Sequence, residues 1–308
     1  MSRFGRILIV GSTGQLGREL TRSFSGAGEL LCHCRNNAAL SADLAKEEYI
    51  RELVRKTEPD LILNASAYTA VDRAESEQDL AMAINARAPR VLAEEALHRG
   101  VPFVHYSTDY VFDGSKNGPW IETDAPNPLN AYGASKLTGE QAIRQVGGKY
   151  LIFRTSWVYG PHGHNFLLTM LKLGREREQL SVVDDQIGAP TTSIALADAT
   201  RAVMNIVLSD RAGAVENWAG IYHMSCGGYT SWYGFAQEIF ARSAGLLNGR
   251  APALTAIPSS GYPTPAPRPP NSVLSNAKLQ STFGIALPNW KDALDSALAL
   301  LRNHSKEQ

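Results

Sequence analysis

The run Ile7-Leu8-Ile9-Val10-Gly11-Ser12-Thr13-Gly14-Gln15-Leu16-Gly17 decides the fold. Its first four residues are apolar and mostly β-branched, the pattern of a central parallel strand buried on both faces. The glycines that follow, spaced G-x-x-G-x-x-G, open a segment in which Leu16, Leu20 and Phe24 recur at helical spacing before Gly26 and Gly28 punctuate its end. Glycine suits such a turn because a pyrophosphate must come within hydrogen-bonding distance of the backbone. The helix start then offers free N–H groups and the positive end of its dipole. Gly11, Thr13, Gly14, Gln15, Leu16 and Gly17 are therefore expected to hold a dinucleotide, because the glycines follow a strand and open a helix.

The same alternation continues outward. Strands are expected at Leu30 to Cys34, Leu61 to Asn64, Pro102 to Ser107 and Tyr150 to Thr155, with helices at Glu47 to Lys56, Glu77 to Arg99 and Pro128 to Val146. This predicts an α/β fold: a Rossmann-type, doubly wound parallel sheet with helices on both faces. Beyond residue 156 the alternation breaks down, and a smaller, mainly C-terminal substrate-binding lobe is expected. Helices are read near Asn165 to Arg175, Ser193 to Leu208 and Trp232 to Ala244, with a strand at Ile221 to Ser225. The division expected is a cofactor domain over 1–156, completed by about 189–215 and 275–308, and a lobe over about 157–188 and 216–274. Pro258 to Pro270 holds six of the sixteen prolines and reads as a structured, extended loop, neither helix nor central strand.

Composition narrows the function. The 308 residues are 44% hydrophobic and 19% charged, enough apolar material for a sizeable core. Lys plus Arg and Asp plus Glu are both 30, so no broad positive field exists to hold nucleic acid or an anionic membrane. No apolar run is long enough to span a membrane, and the four-residue run near the start is too short for a signal-peptide core, so a cytoplasmic protein is expected. Cys32, Cys34 and Cys226 are read as free thiols, with neither disulfide nor zinc site.

Where a carboxylate would favour NAD by binding the adenosine ribose, strand 2 ends Cys32-His33-Cys34-Arg35. Arg35 suits a 2′-phosphate, so NADPH is the expected cofactor, with NADH accepted less well. Asp43 and Leu44 are expected against the adenine. Ala65, Ala67, Tyr68 and Thr69 after strand 3, with Tyr106 on strand 4, complete the expected cofactor wall.

Tyr132-Gly133-Ala134-Ser135-Lys136 places a phenol and an ammonium at i and i+4, on one face of a helix for which Asn127 can cap and Pro128 fill the first turn. A fixed lysine charge favours the phenolate, letting Tyr132 hand a proton to a carbonyl, while Lys136 can also hold the nicotinamide ribose. Thr108, at the carboxyl end of strand 4 where open α/β sheets bind ligands, can donate to the same carbonyl oxygen. Together these residues suit hydride transfer between a nicotinamide and a carbonyl or alcohol carbon.

With these motifs the chain resembles the extended short-chain dehydrogenase/reductase superfamily and, within it, the dTDP-4-dehydrorhamnose reductase family. The resemblance is carried by GSTGQLG at 11, NASAYTAVDRAE at 64, STDYVFDG at 107, YGASK at 132, FRTSWVYG at 153, DQIGAPT at 185 and YPTPAPRPPNS at 262. It implies an NADPH-dependent reduction of a dTDP-4-ketosugar at C4, the product being dTDP-L-rhamnose for a surface polysaccharide. It also implies that Tyr132 is the proton donor, Lys136 its electrostatic partner and Thr108 the group that tunes the site. Asp109 and Trp157 would touch the deoxysugar, and Arg268 the nucleotide diphosphate. The magnesium (Mg2+) that bridges dimers in some members needs a glutamate after GAPT and acids near the C-terminal tryptophan. Here the segment runs Thr191-Thr192-Ser193-Ile194-Ala195, and Lys291 and Asp292 follow Trp290, so a monomer or weak homodimer is expected. Three alternatives stay open: reduction to the C4 epimer or of another ketosugar, a dehydratase, which would have Asp-Glu after the threonine, and a non-catalytic dinucleotide-binding module.

Overall fold

The computed structural model describes residues 4–34, 43–209, 218–247, 249 and 251–304. Six parallel strands form its main sheet: β1 (Arg6–Val10), β2 (Glu29–His33), β3 (Leu61–Asn64), β4 (Phe103–Thr108), β5 (Tyr150–Thr155) and β6 (Gly220–His223). Their order is β6-β5-β4-β3-β1-β2. Strand order reverses beside β1, and a crevice opens at the carboxyl ends there, where α/β sheets take ligands.

Alternate residues of each strand feed the two faces. Ile7, Ile9, Leu61, Leu63, Val104, Leu151 and Phe153 pack against α1 (Gln15–Ser23), α7 (Ser193–Val207) and α9 (Ala277–Phe283). Leu8, Val10, Ile62, Phe103 and Ile152 pack against α2 (Glu47–Thr57), α4 (Ala88–Arg99) and α5 (Ala131–Val146). Burial on both faces explains why these strands read as continuous apolar runs.

The helix expected from Glu77 to Arg99 is interrupted. It runs as α3 (Gln78–Met82), a π-helical turn at Ala83–Arg87, and α4. Pro89 has no N–H to give the Asn85 carbonyl four residues back, and the wider turn relieves the clash its ring would make there. That carbonyl faces Gly139 of α5, where a Cβ would collide with it. The helix carrying Tyr132 also starts later than expected, at Ala131. Its cap is Asn130, whose Oδ1 accepts from Gly133 N at 2.8 Å, while Asn127 donates to Asp113.

The smaller lobe has its own core, built from α6 (Phe166–Glu176), α8 (Trp232–Arg242), α10 (Trp290–His304) and the parallel strand pair Gln179–Val183 and Ala253–Ile257. Two elements lie across the division read from the sequence. Gly220–His223, inside 216–274, is the edge strand of the main sheet, pairing with β5. Trp290–His304, inside 275–308, packs on the lobe through Ala293, Leu294, Ala297 and Leu298. Neither placement follows from the sequence, because a local apolar pattern does not name the surface it packs against.

A candidate nucleotide and carbonyl site

The crevice at the β1 switch point is a cavity of about 550 Å³ lined by Gly11, Thr13, Gly14, Asp43, Leu44, Ala65 and Ala67, all expected from the sequence, together with His33, Cys34, Ser66, Leu80 and Ile84. Its floor is built by close approach. Gly11 has φ +83°, and a Cβ there would lie 2.8 Å from Ser66 N. Gly14 caps α1 with no side chain over the helix start, leaving that end open to an anion. His33 Nε2, buried at the end of β2, has no hydrogen-bond partner among the described residues. An open helix start, a glycine cradle and an orphaned imidazole nitrogen fit a dinucleotide.

Not every expected contact faces this cavity. Gln15 turns its side chain to the lobe, accepting from Asn165 Nδ2 at 2.9 Å and donating to the His164 carbonyl at 3.2 Å. Leu16 packs into the sheet core, and Gly17 permits the tight approach of α1 to the Gly11 carbonyl. Tyr68 donates to Glu77 at 2.6 Å and packs near Ile84 and Tyr132, while Thr69 is exposed. Tyr106 spends its phenol on Thr200 in the core, at 2.8 Å; what it gives the site is its carbonyl. Arg35 lies outside the described residues.

Tyr132, on the first turn of α5, sits beside Tyr110 with ring centroids 6.0 Å apart. The Thr108 hydroxyl accepts from Tyr110 N at 3.1 Å and donates to Asp109 Oδ1 at 2.9 Å. Ser156 donates to the other Asp109 oxygen at 2.8 Å. Asp109 is buried, and burial pushes its carboxyl up to about 6 against the hydrogen bonds of Ser156, Ser272 and Thr108.

Burial is the first influence on both the phenol and the lysine. Burial pushes Tyr132 up to about 12, opposed by Thr108, and Lys136 down to about 8. Lys136 Nζ donates to the Tyr106 carbonyl at 2.6 Å and lies 3.1 Å from His105 Nε2. Lys136 is buried against β4, while Tyr132 is half-buried at the start of α5.

Aromatic rings stand next to Ser156, on the lobe side of Asp109. Trp157 stacks on Trp232, centroids 3.5 Å apart and 4° from parallel. Trp157 has φ +46°, a conformation that costs a non-glycine residue about 1 kcal/mol or more. Gly188 of the DQIGAPT motif leaves room for that indole, which a Cβ would strike. Arg268 is half-buried in the proline-rich loop and donates to Asp72 at 2.9 Å and to the Ala266 carbonyl at 2.7 Å. Asn130 holds the same loop through the Pro267 carbonyl, at 2.9 Å.

Asn64, His105, Asp72, Ser156 and Ser272 join the candidate residues through contacts that the sequence does not mark. Asp72 lies within the VDRAE stretch, but nothing local marks it as the partner of a residue almost two hundred positions away. In the segment after GAPT, Thr192 caps α7, and Thr191 donates to the Ala189 carbonyl and accepts from Cys226 N. Among the described residues no cluster of three His, Cys, Asp or Glu side chains could hold a metal ion, and no helix is long and apolar enough to cross a membrane.

Switch-point cavity, glycine turn and doubly wound sheet define the chain as a Rossmann-type protein of short-chain dehydrogenase/reductase architecture. Residues 5–303 match the family model described as the RmlD substrate binding domain. The dTDP-4-dehydrorhamnose reductase of Burkholderia thailandensis is 47% identical over 293 residues, which cover 94% of this chain and 96% of that protein. A dTDP-4-dehydrorhamnose reductase from Clostridium acetobutylicum superposes with a TM-score of 0.86 at 38% identity, covering 96% of this chain and 99% of that one. The Bacillus anthracis enzyme, solved in complex with NADP, gives 0.86 at 33% identity and the same coverage. The chain belongs to the dTDP-4-dehydrorhamnose reductase family.

Proposed function

We infer that this protein is an NADPH-dependent oxidoreductase that reduces the C4 keto group of dTDP-4-dehydro-L-rhamnose to give dTDP-L-rhamnose. The observation that carries the reading is its near full-length match, at 47% identity, to a reductase of that name.

The roles proposed for its residues follow from their chemistry. The open start of α1 and the glycine turn bind the pyrophosphate, and Arg35 takes the 2′-phosphate. The bound cofactor supplies hydride to C4. Tyr132 gives its phenolic proton to the carbonyl oxygen, and Thr108 and Lys136 hold that phenol and its surroundings. Asp109 and the Trp157–Trp232 stack orient the deoxysugar. Arg268 leaves Asp72 to meet the diphosphate, for which its planar fork is suited. Without acids after GAPT, a monomer or weak homodimer is the proposed state, and the cytoplasm the proposed location.

The test follows NADPH absorbance with enzymatically generated dTDP-4-dehydro-L-rhamnose and identifies the product by NMR. Oxidation with dTDP-L-rhamnose formed is expected. Oxidation giving the C4 epimer would reassign the product, and no oxidation would favour a non-catalytic dinucleotide-binding module. Arg35→Ala should weaken NADPH and leave NADH nearly unchanged; equal effects would remove the phosphate contact.

A further inference from the structure

One amide joins the two ends of the proposed substrate site. Asn130, 5% exposed, accepts from Gly133 N through Oδ1 at 2.8 Å and donates from Nδ2 to the Pro267 carbonyl at 2.9 Å. The first bond caps the helix turn that carries Tyr132, and the second reaches the residue before Arg268. The amide has one way round. A backbone N–H can only donate and a carbonyl can only accept, so the partners themselves assign Oδ1 and Nδ2.

Capping alone does not call for asparagine, since serine and aspartate cap a helix as well. Aspartate carries only acceptors, and serine has a single oxygen for both tasks. Asparagine adds a donating atom beside its capping oxygen, and here that atom is spent on the loop.

Both pieces that meet at Asn130 are stiff. Pro265, Pro267, Pro269 and Pro270 surround Arg268 and fix much of the loop's backbone. On one side Ala266, fully buried, donates its N–H to Asp72 Oδ1 at 3.2 Å, and on the other the Pro270 carbonyl accepts from Ile187 N at 2.8 Å. The helix turn is held as firmly: Ala131 N donates to Glu75 Oε1 at 2.8 Å, and a Cβ on Gly133 would lie 2.2 Å from the Tyr110 carbonyl. The bonds to Ala266 and Pro267 are made to the main chain, so the Arg268 guanidinium can leave Asp72 while its backbone stays in place.

We infer that Asn130 is a positioning residue that sets the diphosphate contact against the proton donor, so that a sugar nucleotide held by its phosphates arrives with its keto group at the Tyr132 phenol. The inference rests on the proposed roles of Tyr132 and Arg268. A span fixed in this way selects ketones that stand a set distance from a diphosphate, as C4 does in a hexose joined directly to one.

The experiment compares full-length Asn130→Asp and Asn130→Ser with the wild type. Both variants keep a capping oxygen, so denaturant midpoints should stay close to wild type. Aspartate sets a carboxylate against the Pro267 carbonyl, and serine is too short to reach it. The Kd for NADPH and for thymidine diphosphate, the probe of the diphosphate end, should change by less than about threefold, while kcat with the ketosugar nucleotide falls about tenfold or more because the carbonyl is misplaced. In an Arg268→Ala background, adding Asn130→Asp should lower kcat by less than about threefold, since the phosphates no longer register on the loop. An unchanged kcat in a folded variant overturns the inference. So does an equal loss with and without Arg268, which would confine Asn130 to its helix. Should Asn130→Asp not fold, Asn130→Ser carries the same comparison. An Arg268→Ala protein that binds thymidine diphosphate as the wild type does would instead show that the reading of Arg268 has failed, and the inference falls with it.

Discussion

Gln15 and Asn165 meet at 2.9 Å, so the glycine turn and the cap of lobe helix α6 share a side-chain bond. Gln15→Ala would leave Asn165 its bonds to the Gly160 and His162 carbonyls but untie the turn from the lobe. A stability loss of about 1 kcal/mol is expected in urea titrations. KM for the sugar nucleotide should rise more than the Kd for NADPH, because the backbone N–H groups at the helix start remain.

Tyr132→Phe should keep NADPH affinity while lowering kcat by roughly 100-fold or more. Cofactor fluorescence titration and steady-state kinetics separate the two effects. Wild-type turnover would remove the phenol as acid.

Asp109 carries a pH signature. Its carboxyl, near 3.8 in an open chain and about 6 here, binds a proton more tightly when folded. Between about pH 4 and 6 the folded state therefore holds more protons than the unfolded one, so this group's contribution to stability falls as pH rises and levels off above 6. Asp109→Asn should lack that slope, gaining up to about 3 kcal/mol on the wild type across the window, less any hydrogen bond it forfeits. Denaturant midpoints measured in parallel through the window test this; a constant gap between the two proteins would contradict it.

Glu140 and Arg154 form a bidentate pair behind β4, with 1% and 2% of their side chains exposed, and Ser107 donates to the same carboxylate. Breaking a buried pair on one side strands the other charge. Glu140→Gln should cost about 3–5 kcal/mol in denaturant unfolding, and a loss below 1 kcal/mol would mean the guanidinium finds other partners.

Much of this molecule can be read from residue order, and the parts that cannot share one cause. Ile7 to Gly17, the small residues after β3 and the Tyr132–Lys136 spacing carry their meaning locally, and strand, helix or turn follows from the next few residues. Choosing Asn130 over Asn127 as the cap required knowing that Asp113 claims Asn127. The π-helical turn depended on how closely Gly139 admits the Asn85 carbonyl. Asn64 and His105 become neighbours only through the β3–β4 register, which pairs them directly. Polar residues inside apolar strands give no local sign of whom they will face.

The edge strand β6 has a consequence for how the protein comes apart. The chain completes β5, builds part of the lobe, returns to the sheet as α7 and then β6 beside β5, leaves again for the lobe, and comes back once more as α9 before ending on the lobe as α10. Neither core can be assembled from one uninterrupted length of chain. Melting the lobe would pull at the sheet's edge, and loss of β6 would uncover β5, so the two cores are tied into a common unfolding transition. Pairing β6 with β5 joins residues far apart in sequence, such as Gly220 and Leu151, a long-range contact of the kind that slows folding.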